Sequence, residues 1–255
     1  MPFTIAVAGK GGTGKTTLCG FMIDWMIKNG KKPILAVDAD ANSNLNEVLG
    51  VEAPMSLGEI REEVAHAEAS GSIPASMSKQ DYMEYRFNAA LEEEDDFDML
   101  VMGRTQGKGC YCFVNGLLQT QLQKFSGSYK YVVVDNEAGM EHISRGLLPQ
   151  VDVLLLVSDC SRRGVQAVGR IAQLAKEIDL NPKFMKLIIN RAPSTELAEG
   201  IKEEIALQGL DLLGVVPQDN AVYDFDSAGK PTSTLPSDSA ARKAFEPLLS
   251  SLFEA

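Results

Sequence analysis

Apolar residues run along this chain in two alternating rhythms. Residues 3–8, 33–37, 99–102, 131–134, 153–157, 186–189 and 213–216 form short, nearly unbroken apolar runs, and continuity over that length predicts strands covered on both faces. Between them, residues 15–28, 161–178, 195–207 and 239–253 carry apolar side chains at three- and four-residue spacing. That spacing predicts amphipathic helices, the first closed by Gly30 as its C-terminal cap. Short strands alternating with longer helices predict an α/β fold, a mostly parallel sheet of about seven strands flanked by helices on both faces. Residues 51–97 keep neither rhythm cleanly. They are helix-prone and Met-bearing, broken by Gly71-Ser72-Ile73-Pro74 and closed by the acidic run Glu92-Glu93-Glu94-Asp95-Asp96-Phe97-Asp98; we read them as an elaboration. No internal repeat or low-complexity linker divides the chain, so residues 1–255 are expected to form a single domain.

Where the first strand meets the first helix, the chain reads Gly9-Lys10-Gly11-Gly12-Thr13-Gly14-Lys15-Thr16-Thr17. This is the strand, GxxxxGK[ST], helix arrangement of a phosphate-binding loop, and it narrows the fold to a P-loop NTPase. Each residue type has a reason to be there. Glycines let backbone N–H groups turn in on phosphate oxygens, the helix N-terminus adds positive potential, Lys15 reaches the β- and γ-phosphates, and the Thr16 hydroxyl suits Mg²⁺. Gly11, Gly12, Thr13, Gly14, Lys15, Thr16 and Thr17 are therefore the expected phosphate cradle.

Composition then removes several alternatives. Lys plus Arg number 24 against 35 Asp plus Glu, a formal charge of -11, which speaks against electrostatic capture of nucleic acid or anionic membrane. The longest nearly uncharged apolar stretch, residues 151–157, falls well short of the ~18 residues that a membrane span needs. Met1-Pro2-Phe3-Thr4 lacks the basic start of a secretory signal. Four cysteines, Cys19, Cys110, Cys112 and Cys160, are too few for the disulfide lattice of a secreted scaffold, and a cytoplasmic protein is expected.

The second lysine inside the loop, Lys10, makes it resemble the deviant Walker A motif KGGxGKT[ST] of the family that holds nitrogenase iron protein and the MinD and ParA ATPases. The resemblance implies an ATP-sandwich homodimer in which Lys10 reaches the nucleotide of the other subunit, and makes Lys10 and Lys15 catalytic. Asp38-Ala39-Asp40, followed by Ala41-Asn42-Ser43-Asn44-Leu45, looks like the family's switch I. By that likeness Asp38 would hold Mg²⁺ through water and Asp40 would orient the attacking water. Asp135, ending the fourth strand, is placed as the Walker B carboxylate on a metal-bound water. Asn190 matches the position that hydrogen-bonds adenine in the family, and Pro217 the position that flanks the base.

Gly107-Lys108-Gly109-Cys110-Tyr111-Cys112 is the most discriminating segment. One chain offers two thiolates where a closed tetrahedral site takes four; a two-fold axis near this loop would supply a Cys₄ site shared across the dimer. Thiolates favour Ni²⁺, Zn²⁺, Cu⁺ or an iron–sulfur cluster over Mg²⁺. Together with the segment from Asp135-Asn136-Glu137-Ala138-Gly139-Met140-Glu141-His142 to Gly146, the pair resembles the CooC-type accessory ATPases that mature the nickel site of carbon monoxide dehydrogenase. The resemblance implies ATP, Mg²⁺ and Ni²⁺ or Zn²⁺ as cofactors. Carbon monoxide dehydrogenase or acetyl-CoA synthase is the implied client, with no nucleic acid and no membrane anchor among the partners. His142 is expected to hydrogen-bond within switch II, His66 has no assigned role, and Cys19 and Cys160 are expected to be packing residues. Two other classes stay open: an electron-transfer ATPase like the iron protein, with a bridging cluster, and a MinD- or ParA-like positioning ATPase.

Overall fold

The computed structural model describes residues 1–103, 120, 124, 127–138 and 150–253. Within them lie eight strands: β1 (Phe3–Gly9), β2 (Ile34–Ala39), β3 (Glu92–Glu93), β4 (Asp98–Val101), β5 (Tyr131–Asn136), β6 (Val153–Asp159), β7 (Phe184–Ala192) and β8 (Leu212–Pro217). They form one sheet in the order β3-β4-β2-β5-β1-β6-β7-β8, with β3 against β4 antiparallel and every other pair parallel. Each of the seven apolar runs falls in a strand. The eighth strand, β3, corrects the expected number, and its two glutamates carry no apolar signal because a charged edge strand is designed to stay unpaired on its outer side.

Successive residues of a strand face opposite sides of the sheet, so a parallel sheet needs two apolar layers. Ile5 and Val7 of β1 join one core with α1 (Lys15–Lys28), α2 (Leu45–Leu49) and the C-terminal helix; Ala6 and Ala8 join the other. The second core is covered by α3 (Leu57–Ser70), α4 (Lys79–Asn88), α5 (Arg162–Glu177) and α6 (Glu199–Leu207). Residues 51–97 thus hold two ordinary helices, each begun by a reciprocal capping box: Ser56 with Glu59, and Ser78 with Asp81. The expected helix over 195–207 starts only at Glu199. Two helices among the described residues carried no sequence signal: the short α2, and α7 (Asn220–Ser227), which buries no residue completely.

The C-terminal helix, α8 (Ala240–Phe253), is docked rather than free. Ala241, Phe245, Leu249 and Leu252 are buried, and Phe253 packs against Trp25, Phe3 and Tyr131 with ring centroids 5.5–5.8 Å apart. Its Arg242 is wholly inaccessible to solvent. Nε donates to Glu246 at 2.6 Å, Nη1 to the carbonyls of Ser233 and Leu235 at 2.8 and 2.7 Å, and Nη2 to Asp24 of α1. A buried guanidinium is tolerable only when its donors are matched in this way. No helix among the described residues is long and apolar enough to cross a membrane.

Replacing Arg242 by methionine takes the donor from two buried carbonyls and from Glu246, and leaves Asp24 with Lys28 alone. We expect a loss on the order of 3 kcal/mol, read as a lower urea midpoint at unchanged slope; an unchanged midpoint would show that the network contributes nothing.

Candidate nucleotide site

β1 lies inside the sheet, with β5 on one side and β6 on the other, and the crevice beyond the carboxyl ends of such strands is where α/β sheets bind ligands. There the chain turns through residues 9–17 into α1. Gly12 and Gly14 have φ of 77° and 85°, left-handed values that glycine adopts at little cost. Gly14 occupies the N-cap position, no side chain caps the helix, and its first turn holds no acid. The N–H groups that every helix leaves unpaired at its start are therefore kept for an anion.

Lys15, only 7% exposed, folds back so that Nζ lies 3.4 Å from the carbonyl oxygen of Lys10, which also accepts from Thr13 Oγ1 at 2.9 Å. The Lys10 side chain is exposed. From the end of β7 two residues hold the loop. Asn190 Nδ2 donates to the Thr13 carbonyl at 2.8 Å, and Arg191 Nη1 to that of Gly12 at 3.1 Å. Arg191 has φ 55°, a left-handed conformation that costs a non-glycine residue roughly 1 kcal/mol or more. No sequence motif flags Arg191, because its reach depends on that conformation.

Asp38 and Asp135 stand opposite one another in register on β2 and β5. Asp38 accepts from the backbone N–H of Asp40 at 3.0 Å and of Leu45 at 2.9 Å; burial nevertheless pushes its carboxyl up to about 6. Asp135 is 2% exposed. Burial, with the charges of Asp38 and Asp40 added, pushes it up to about 7 against the opposing pull of the Thr16 hydroxyl and Lys15. Its Oδ1 has no hydrogen-bond partner among the described residues. Two buried carboxylates beside a threonine hydroxyl, one oxygen unmatched, form a hard-oxygen set that fits Mg²⁺. Asp40, less buried, accepts from Asn42 N–H at 2.8 Å.

Beside the loop opens a cavity of about 280 Å³, lined by Gly14, Thr17, Asn190, Pro217, Tyr223 and Thr232 among others. Asn190 and Pro217 are thus brought next to the phosphate loop. Tyr223 and Thr232, which no spacing in the sequence marks, complete the wall. Cys19 is buried in the core under α1, its thiol pushed well above the ordinary range by burial and then by Asp135. Cys160 is half-buried and packs on the other core. Cys110, Cys112, Glu141 and His142 lie outside the described residues. Among the described residues no cluster of three or more His, Cys, Asp or Glu is arranged to hold a metal ion.

An open helix N-terminus, a buried loop lysine, paired carboxylates and an adjoining cavity define a P-loop nucleotide-binding protein. The profile of the CobQ/CobB/MinD/ParA nucleotide binding domain matches residues 4–232, and the chain belongs to that family of ATP-binding ATPases. It is 38% identical over 244 residues, 95% of each chain, to an uncharacterized ATP-binding protein of Methanocaldococcus jannaschii. It is 33% identical over 237 residues to the carbon monoxide dehydrogenase accessory protein CooC of Rhodospirillum rubrum, covering 88% of this chain and 87% of the other. Its fold matches that of the septum site-determining protein MinD of Pyrococcus horikoshii, complexed with Mg-ADP, with a TM-score of 0.69 at 20% identity over 99% of this chain and 96% of the other.

Because Asp38 and Asp135 are both raised above the unfolded value of about 4, the folded protein without nucleotide keeps protons that the unfolded chain releases. The stability this contributes is full below about pH 4 and is lost as pH rises through about 6 and 7. Asp135→Asn should remove the upper part of that decline. Urea unfolding at about pH 5 and about pH 8 should show wild type losing more stability between the two than the variant; equal losses would contradict the assignment.

Proposed function

We propose that this chain is an ATP-driven metallochaperone: a homodimer that clamps on ATP, assembles a four-cysteine site for nickel or zinc from Cys110 and Cys112 of both subunits, and serves the maturation of carbon monoxide dehydrogenase or acetyl-CoA synthase. What carries the reading is the Cys-x-Cys pair on a deviant Walker A chain that shares a third of its residues with CooC. In this account backbone N–H groups from Gly11 to Thr17 and the Lys15 ammonium hold the triphosphate and draw charge from the γ-phosphate as its bond to the leaving oxygen lengthens. Asp40 orients the water that attacks in line. Thr16, Asp38 and Asp135 would hold Mg²⁺, which would supply positive charge to offset that of the triphosphate. The base lies against Pro217, with Oδ1 of Asn190, which has no hydrogen-bond partner among the described residues, accepting from the adenine amino group.

Lys10, exposed at the loop, reaches the partner's nucleotide, so that ATP closes the dimer and the dimer creates the thiolate site. Hydrolysis or exchange then loosens both for transfer to the client. A second reading, a positioning ATPase acting on membrane or DNA, is supported by the MinD-like fold and by MinD relatives in sequence; the -11 charge weighs against it. ATP-dependent co-sedimentation with liposomes or DNA would turn the balance toward it.

The double variant Cys110→Ser/Cys112→Ser should dimerise with ATP in light scattering yet bind no stoichiometric nickel or zinc by metal analysis. Lys10→Ala should bind ATP as a monomer and lose ATP-dependent dimerisation and tight metal binding together. Stoichiometric metal retained by the cysteine double variant, or an ATP dimer retained by Lys10→Ala, would overturn the proposal.

A further inference from the structure

Among the residues lining the cavity beside the loop, Thr232 stands out. It is 4% exposed, and its Oγ1 has no hydrogen-bond partner among the described residues. Native proteins pair nearly all buried polar groups, and an exception calls for a specific cause.

Relaxation of the surrounding chain cannot relieve it. Thr232 opens a short 3₁₀ turn, Thr232–Thr234, and the carbonyls of Ser233 and Leu235 on that turn are held by Arg242. On its other side Pro231 packs so closely on Gly50 that a Cβ there would collide with the proline ring, and Ser233 packs beside Gly20 of α1. The turn is thus fixed from α1, α2 and α8 at once.

Two other polar groups deep in the same wall are already engaged. Asn190 Nδ2 is bonded to the Thr13 carbonyl. The two carboxylate oxygens of Asp219 accept from the N–H groups of Ala221 and Ala241 at 2.9 and 3.0 Å. Asn190 Oδ1, an acceptor only, and the Thr232 hydroxyl, which can donate or accept, have no hydrogen-bond partner among the described residues.

We propose that Thr232 reads the base of the nucleotide, its hydroxyl hydrogen-bonding the purine edge while Asn190 Oδ1 accepts from an exocyclic amino group. The pairing of an obligate acceptor with a rotatable hydroxyl matches adenine, whose edge carries an amino donor and ring-nitrogen acceptors. It rests on the reading above that a nucleotide places its phosphates on the loop and its base in this cavity, and adds a specificity residue to it.

The test compares Thr232→Val, which keeps the shape and removes the hydroxyl, with Thr232→Ser, which keeps the hydroxyl. Binding of ATP and of inorganic tripolyphosphate, which has no base, is measured by calorimetry, together with the melting temperature of the nucleotide-free proteins. The valine variant should lose about tenfold in ATP affinity, the scale of one hydrogen bond, bind tripolyphosphate as wild type does, and melt no lower than wild type. The serine variant should recover most of the ATP affinity. Unchanged ATP affinity in the valine variant, equal losses for ATP and tripolyphosphate, or a lower melting temperature would each overturn the proposal, the last by making the hydroxyl structural. Failure of the underlying reading looks different: wild-type protein that binds tripolyphosphate but gains nothing from the base of ATP would leave the cavity without a base and take the proposal with it.

Discussion

An α-helix starts with N–H groups that have no partner inside the helix, and in this chain the first turn of α1 is left without a side-chain cap. Gly14 takes the left-handed N-cap conformation and offers no oxygen of its own. Relative to a capping serine or aspartate, glycine there gives up roughly a few tenths of a kcal/mol, and α1 is secured elsewhere: Leu18, Phe21, Met22, Ile23 and Met26 are buried in the core. The loop is held from outside itself, by Asn190 and Arg191 at the end of β7. An anion site is thereby kept open while the elements around it stay rigid.

The charges at the crevice follow the same logic. Lys15, Asp38 and Asp135 are buried where their charged forms are poorly solvated, and the unmatched Oδ1 of Asp135 marks a place where the protein alone does not complete the set. The overall acidity of the chain belongs elsewhere. Six acidic side chains lie between Glu92 and Asp98, on and beside the edge strand β3 and its neighbour β4, with β2 and β5 between them and β1. Charge at that edge protects the sheet from further pairing and says little about what the crevice binds.

How much of this was legible in the sequence depends on whether the information is local. The seven apolar strands could be read because a parallel sheet covered on both faces demands continuous apolar runs, and residues 9–17 because the motif itself specifies a turn and a helix start. β3 and α7 were hidden, one a pair of glutamates and the other a helix with no fully buried residue. The capping boxes at Ser56 and Ser78 were present as local signals within a stretch whose periodicity was poor. Strand-end position pointed to Asn190, yet the use of its Nδ2 to hold Thr13 is a contact across the fold. Arg191 and Thr232 are placed by a backbone angle and a long-range packing arrangement, neither of which leaves a pattern in the order of residues.

The account makes nucleotide, dimer and metal three aspects of one equilibrium, so by linkage each ligand must change the affinity for the others by the same factor. The most direct measurement is a zinc or nickel titration at a protein concentration where the nucleotide-free chain is monomeric, with and without a non-hydrolysable ATP analogue. The account predicts tight binding of one metal ion per pair of chains only when the analogue is present, with dimer affinity raised by metal to the same degree. Metal affinity that is the same with and without the analogue would contradict it.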